Sequence, residues 1–183
     1  MKAYFFFLFA GLLLAGCTSD MLAPADDSAG LEFRKKEYVT KPMTMWLEAI
    51  TDYSLGSISC LPAGNVPAGG WMRGHATHMG QFNMEESPWA HGSCQLVFDP
   101  SGNLVKVLIE GSNGHWTAAN GDVLNWQGTY ESFLDGTFSA DLNFAGGTGS
   151  FEGATGNVFG FGYVDPETGN AVGTAEGYIT MLR

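Results

Sequence analysis

Residues Thr137-Phe138-Ser139-Ala140-Asp141-Leu142-Asn143-Phe144 alternate without a break. Successive side chains of an extended chain point to opposite faces. Phe138, Ala140, Leu142 and Phe144 therefore share one apolar face, and Thr137, Ser139, Asp141 and Asn143 share a polar one. Upstream, Val105, Val107 and Ile109 oppose Lys106 and Glu110, with Leu104 and Leu108 spoiling strict polarity. Short runs of Val, Ile, Thr and aromatic residues recur from Pro42 onward, broken by Gly, Asn, Asp and Pro. They predict strands near 43–52, 71–84, 92–99, 103–111, 114–119, 122–131, 135–145, 156–164 and 171–181. No stretch keeps a 3.6-residue period over three turns.

The turns between these runs carry their own chemistry. In Asp99-Pro100-Ser101-Gly102-Asn103, Pro presets φ and Gly102 can take the left-handed position. Asp165-Pro166-Glu167-Thr168-Gly169-Asn170 repeats the device between the last two strands. Asn113-Gly114 and Asn120-Gly121 read as two further tight turns. Residues 54–70 read as one long irregular loop containing Cys60. Eight or nine consecutive antiparallel strands fit a closed barrel, and closure removes the exposed edges that invite aggregation. Gly160, Gly162, Gly173 and Gly177, inside strands, relieve crowding at bends. The expected fold is all-β: one small antiparallel β-barrel of about eight strands, with a β-sandwich as the alternative.

Composition narrows the function classes. Glycine is 26 of 183 residues, about twice the usual share, without the repeat of collagen. Lys and Arg number 8 against 19 acids, a formal net charge of −11. That charge argues against nucleic acid or an anionic membrane surface as a partner of the domain.

The first residues read as an address. Lys2 precedes an apolar run over 4–14, too short to span a bilayer but suited to the core of a secretory signal. The run ends Leu13-Leu14-Ala15-Gly16-Cys17, which resembles the lipobox of bacterial lipoproteins. That resemblance implies cleavage after Gly16 and acyl chains on Cys17, a membrane anchor in which each buried CH₂ contributes about 0.8 kcal/mol. The residue after Cys17 is Thr18 rather than Asp, which resembles cargo released to the outer membrane; Asp20 resembles an element of surface-export signals. The expected location is the cell envelope, as an outer-membrane lipoprotein on the periplasmic face or the cell surface. Residues 1–16 are thus read as a lipoprotein signal peptide, 17–41 as a lipidated flexible tether and 42–183 as the barrel domain. The basic cluster Arg34-Lys35-Lys36 falls in the tether.

With Cys17 assigned to lipid, Cys60 and Cys94 remain. An oxidising envelope favours a disulfide between them; two buried free thiols are the alternative. The bond would close a loop of about 35 residues, worth roughly 3.8 kcal/mol at most.

Three segments carry a wider resemblance. Gly74-His75-Ala76-Thr77-His78-Met79-Gly80, Trp116-Thr117-Ala118-Ala119-Asn120-Gly121-Asp122 and the stretch Gly146-Gly147-Thr148-Gly149-Ser150-Phe151-Glu152-Gly153-Ala154-Thr155-Gly156 are together similar to a group of bacterial secreted proteins and lipoproteins. The third also resembles the GGTG-x-F region of plant dirigent proteins and allene oxide cyclases. The resemblance spans about residues 70–182 and implies an eight-stranded antiparallel barrel, able to hold an apolar substrate. Ser150 stands where Arg is common in that segment.

Candidate site residues are weighed against structural roles. His75 and His78 lie three apart on a predicted strand, so they face opposite ways; one would face the lumen, as a base or a ligand contact, or both are structural. Trp71 and Trp116 are ligand-contact candidates among five Trp that otherwise read as core or rim. Glu48, Glu110 and Glu176 fall on predicted strands, where a lumenal carboxylate with a raised pKa would serve as acid or base. Asn120-Gly121-Asp122 reads first as a turn, and the Gly146–Gly156 segment as a sharp strand exit with Phe151 beneath the barrel end. No Ser-His-Asp order, no HExxH and no calcium-loop pattern occurs, so neither metal nor cofactor is expected. The leading expectation is a non-enzymatic binding or surface module for an apolar ligand or an envelope component. The alternative is an isomerase or cyclase using a lumenal Glu or His.

Overall fold

The computed structural model describes residues 37–60 and 64–183. The segments expected to be a leader, with its anchor at Cys17, and nearly all of the expected tether lie outside the described residues. Twelve strands follow in order: β1 (Tyr38–Thr51), β2 (Ser57–Ser59), β3 (Asn65–Pro67), β4 (Gly69–Ala76), β5 (Gly80–Gln81), β6 (Pro88–Ala90), β7 (Ser93–Phe98), β8 (Leu104–Thr117), β9 (Val123–Phe133), β10 (Thr137–Gly147), β11 (Thr155–Val164) and β12 (Ala171–Leu182). Among the described residues the only helical pieces are three single 3₁₀ turns.

The main sheet runs β1-β12-β11-β10-β9-β8-β6-β4, and β4 pairs back onto β1. Eight antiparallel strands therefore form a ring, and the barrel reading holds over the sandwich. Alternation sets what fills it. In β10, Phe138, Leu142 and Phe144 are buried and Ala140 is partly so, while Thr137, Asp141 and Asn143 are exposed. Strands β1 and β12 repeat the rule with Met43, Met45 and Leu47, and with Ala175, Ile179 and Met181.

Several sequence expectations are corrected. Strand β1 begins at Tyr38, inside the stretch read as tether, because β12 is long enough to pair it from Tyr38↔Leu182 onward. Pro42 is tolerated there because β4 pairs β1 only from Met45, leaving that side of Pro42 without a ladder partner. The loop 54–70 contains the β2–β3 hairpin, paired at Ile58↔Val66. The expected strand 71–84 stops at Ala76, since His78 and Gly80 adopt φ of 72° and 74° and turn the chain back into β5. Asn113-Gly114 is not a turn but lies within β8. A Cβ on Gly114 would stand 2.6 Å from the Trp126 ring, so this glycine serves packing.

The other turns behave as their residues predict. Asp99 Oδ1 accepts from the backbone N–H groups of Ser101 and Asn103, 2.8 Å each. The second and third resemblance segments lock together at one end of the barrel. Asp122 Oδ2 accepts from the Ser150 N–H at 3.0 Å, and Thr148 Oγ1 accepts from the Val123 N–H at 2.9 Å. Hydrogen bonds from Ser150, its backbone N–H first, and from the Asn120 side chain hold the Asp122 carboxyl below its usual pKa. Phe151 then plugs the barrel end at 1% exposure.

Gly149 sits in this clasp at φ 55°, and a Cβ there would fall on the Asp122 carboxylate. Gly149→Ala is expected to lower Tm by roughly 3–10 °C, through backbone strain and the broken clasp. Thermal unfolding followed by circular dichroism checks it, and an unchanged Tm would refute the clasp.

Candidate ligand-binding site

The barrel interior has a filled half and a hollow half. In the filled half Trp116 stacks on Phe82 and Trp126, with centroids 5.4 and 5.6 Å apart, and meets the edge of Phe144. In the other half, Ala49, Ala140, Gly160, Ala171 and Ala175 present too little side chain to reach the axis. What remains is a cavity of about 190 Å³. For scale, an engineered apolar cavity of about 150 Å³ stays dry and accepts benzene.

A β-bulge brings one polar group, Ser112, into this cavity. Strand β8 pairs β9 at Ile109↔Tyr130 and again at Ser112↔Gly128, so β8 spends one residue more than β9. Gly111, at φ 70°, absorbs the extra residue. The bulge breaks the two-residue alternation and leaves both Ile109 and Ser112 buried against the cavity. Across from it, β6 and β7 keep one register against β8 but are interrupted at His91 and Gly92. His91 turns inward at that interruption, and its Nδ1 lies 2.9 Å from Ser112 Oγ. Its ring rests between Trp89 and Tyr130, at centroid distances of 4.7 and 5.6 Å.

Electrostatically the site is neutral. Among the described residues, no Asp, Glu, Lys or Arg lines the cavity. Desolvation pushes the His91 imidazole down to about 4, so it is uncharged at neutral pH. The same burial pushes the Tyr130 phenol well above its ordinary value. Trp89 and Trp126 also border the cavity, and the indole N–H of each is buried without an acceptor.

The β2–β3 hairpin contributes Val66 and Pro67 to the rim. A disulfide joins Cys60, at the end of β2, to Cys94 of β7, with Cα atoms 5.4 Å apart. The bond therefore ties the hairpin to the strand that continues from His91.

The residues singled out from the sequence lie elsewhere. Glu48 pairs with Arg73 on the outer face, its Oε2 accepting from Arg73 Nε at 2.7 Å. Glu110 accepts from Gln95 Nε2 at 2.6 Å, outside the barrel. Glu176 and His75 are exposed on the outward faces of β12 and β4. His78 lies in the turn after β4, and its Nε2 donates to the Pro42 carbonyl at 3.0 Å. Neither histidine faces the lumen, because β4 ends between them. Trp71 is half-buried and faces outward, while Trp116 is fully buried in the aromatic stack, its Nε1 donating to Met72 Sδ. His91, Ser112 and Tyr130 were not singled out from the sequence. The available signals were the glycines at 92 and 111, which permit an interrupted strand to face a bulge.

No protein-family model matches the chain, and no curated protein matches it. Among solved structures, it is similar to the pterocarpan synthase dirigent protein GePTS1 at 14% identity and a TM-score of 0.32, over 81% of this chain and 94% of that one. The pterocarpan synthase dirigent protein PsPTS1 matches at 15% identity and a TM-score of 0.28, over 82% and 99%. Superpositions this loose carry no argument about function; the barrel rests on the strand pairing itself.

A histidine buried neutral has a pH signature. Its pKa is lower folded than unfolded, so its stabilising share is fully present above pH 6.5 and is lost as pH falls toward 4. The loss is of order 3 kcal/mol at most. Chemical denaturation of the protein is expected to show this slope between pH 6.5 and 4, and His91→Gln is expected to flatten it. A slope unchanged in the variant would place His91 in solvent.

Proposed function

We propose that the protein is an envelope-anchored lipoprotein whose barrel is a non-enzymatic binding module for a small apolar ligand. The observation that carries the binding part is the apolar cavity of about 190 Å³, which no carboxylate or cation lines among the described residues. Proton-transfer chemistry needs a group poised near the working pH. The Glu residues considered for it are outside, and His91 in the lumen lies well below neutrality, at about 4. Binding is therefore favoured over isomerase or cyclase activity. The anchor rests on the Leu13–Cys17 segment alone.

Two measurements test the two parts. Single-ring and two-ring apolar probes are expected to alter tryptophan emission, since Trp89 and Trp126 border the cavity, and to raise Tm. Ala140→Leu fills space in the lining and is expected to weaken such binding by about tenfold or more. Parent protein whose emission and Tm ignore every probe would remove the binding reading. For the anchor, Cys17→Ser is expected to move the protein out of the membrane fraction or to leave an unprocessed precursor. Unchanged membrane retention with mature mobility would remove it.

A further inference from the structure

The cavity wall is not uniform around the ring. Its polar side chains gather on one arc: Ser112 on β8, Tyr130 and Ser132 on β9, and His91 at the interruption after β6. The other arc, β10, β11, β12 and β1, presents Ala140, Gly160, Ala175 and Ala49. Thr174 borders the cavity on that arc but belongs to the exposed, outward phase of β12. His91 lies on the inward side with Trp89, their ring centroids 4.7 Å apart. Its Nδ1 is held by Ser112 Oγ, and Nε2, at the far end of the ring from the backbone, has no partner among the described residues. Tyr130 Oη and Ser132 Oγ have none either. Among the described residues, the side-chain polar atoms that are both fully buried and unpartnered are Trp89 Nε1 and Trp126 Nε1. His91 Nε2, Tyr130 Oη and Ser132 Oγ are not of that kind, so each keeps surface that a molecule in the cavity can touch.

This division of the wall limits what fits. Hydroxyl groups and a neutral imidazole both donate and accept hydrogen bonds. A hydroxyl on the ligand can answer them in either role, whereas a carbonyl only accepts. Among the described residues no charged side chain lines the wall, so an ionised ligand would lose its hydration without a counter-charge. The rest of the lining is aliphatic and aromatic, so most of the ligand surface must be apolar. The volume suits on the order of ten non-hydrogen atoms, by comparison with benzene in a cavity of about 150 Å³.

We propose that the cavity is a site for a neutral, compact molecule with an apolar body and a hydroxyl group on one edge. The hydroxyl meets the arc of His91, Tyr130 and Ser132, and the body fills the space left by the small residues of the other arc. This rests on the binding function above and adds the ligand's chemical class. Water could meet the polar arc, but it would leave the apolar arc unfilled.

The test compares shape-matched probes on the full-length protein. Methylcyclohexane, cyclohexanol, cyclohexanone and cyclohexylammonium share one ring and differ in one substituent. A wholly apolar wall would favour methylcyclohexane over cyclohexanol by roughly a hundredfold, because the buried hydroxyl would have no partner. Cyclohexanol is instead expected to bind at least as tightly as methylcyclohexane by tryptophan fluorescence titration. Cyclohexanone is expected to bind severalfold more weakly than cyclohexanol, and cyclohexylammonium not measurably. Tyr130→Phe combined with Ser132→Ala removes two hydroxyls and keeps the ring. That variant is expected to weaken cyclohexanol by about tenfold or more and to leave methylcyclohexane within about twofold. A measurement on unsubstituted protein guards against a misfolded variant: in a long-range ¹H–¹⁵N spectrum, one of the four imidazoles is expected to shift with cyclohexanol and not with methylcyclohexane. A hydrocarbon preference near a hundredfold, or imidazole signals that ignore the alcohol, would overturn this inference and leave the apolar-binding function standing. A ketone that binds as tightly as the alcohol, or an ammonium that binds at all, would overturn it too. Binding of none of the probes would remove both.

Discussion

The structure depends on one closure: β1 pairs with β12 along one edge and with β4 along the other. Without the β1–β4 ladder, the sheet would have two open edges and an apolar face with nothing to pack on. With it, the inward face becomes its own partner. An eight-stranded ring leaves an interior only about wide enough for side chains to fill. Whether it is solid or hollow is then set by residue size. Aromatic and Met side chains fill one half, and Ala and Gly leave the other half empty. The register enforces this, since Ala140 lies opposite Gly160 and Gly160 opposite Ala175 across β10, β11 and β12.

A second constraint decides what the empty half contains. The one-residue bulge at Gly111 shifts the phase of β8, so that Ser112 is buried facing His91. Without it, strict alternation from Ile109 would bring Gly111 inward and put Ser112 in solvent. His91 would then sit in an apolar wall with no partner for Nδ1. The interruption of β6 and β7 and the bulge in β8 are therefore one feature seen from two strands. The disulfide lies just beyond it, fastening Cys94 and so the hairpin at the rim.

Much of this was legible from the residues. The alternation of β10, the Asp-Pro turns, the Asn120-Gly121 turn and the glycine-rich exit all followed from local chemistry, and so did the number of strands in the ring. The site was not legible, and the reason is phase. A pattern of period two says which residues share a face only while the register runs unbroken. The pattern puts His75 and His78 on one strand, but a reversal lies between them. Asn113-Gly114 has the composition of a turn, yet Gly114 is needed to admit the Trp126 ring. Glu48, Glu110 and Glu176 fell on strands as expected, and each took the outward phase, where Arg73 and Gln95 or solvent meet it. Pairing partners across the sheet decide such cases, and a single chain's local pattern does not contain them.

The hollow itself argues for an occupant. A space of about 190 Å³ walled by apolar side chains forgoes the dispersion contacts a filled core would make. Larger aliphatic residues at Ala49, Ala140 and Ala175 would occupy much of it, since an eight-stranded interior is only about wide enough for side chains to fill. The sequence instead keeps Ala and Gly along three adjacent strands, β10, β11 and β12, at positions in register with one another. The wall they leave is apolar, and the contacts it lacks in the free protein are those a matching apolar molecule supplies.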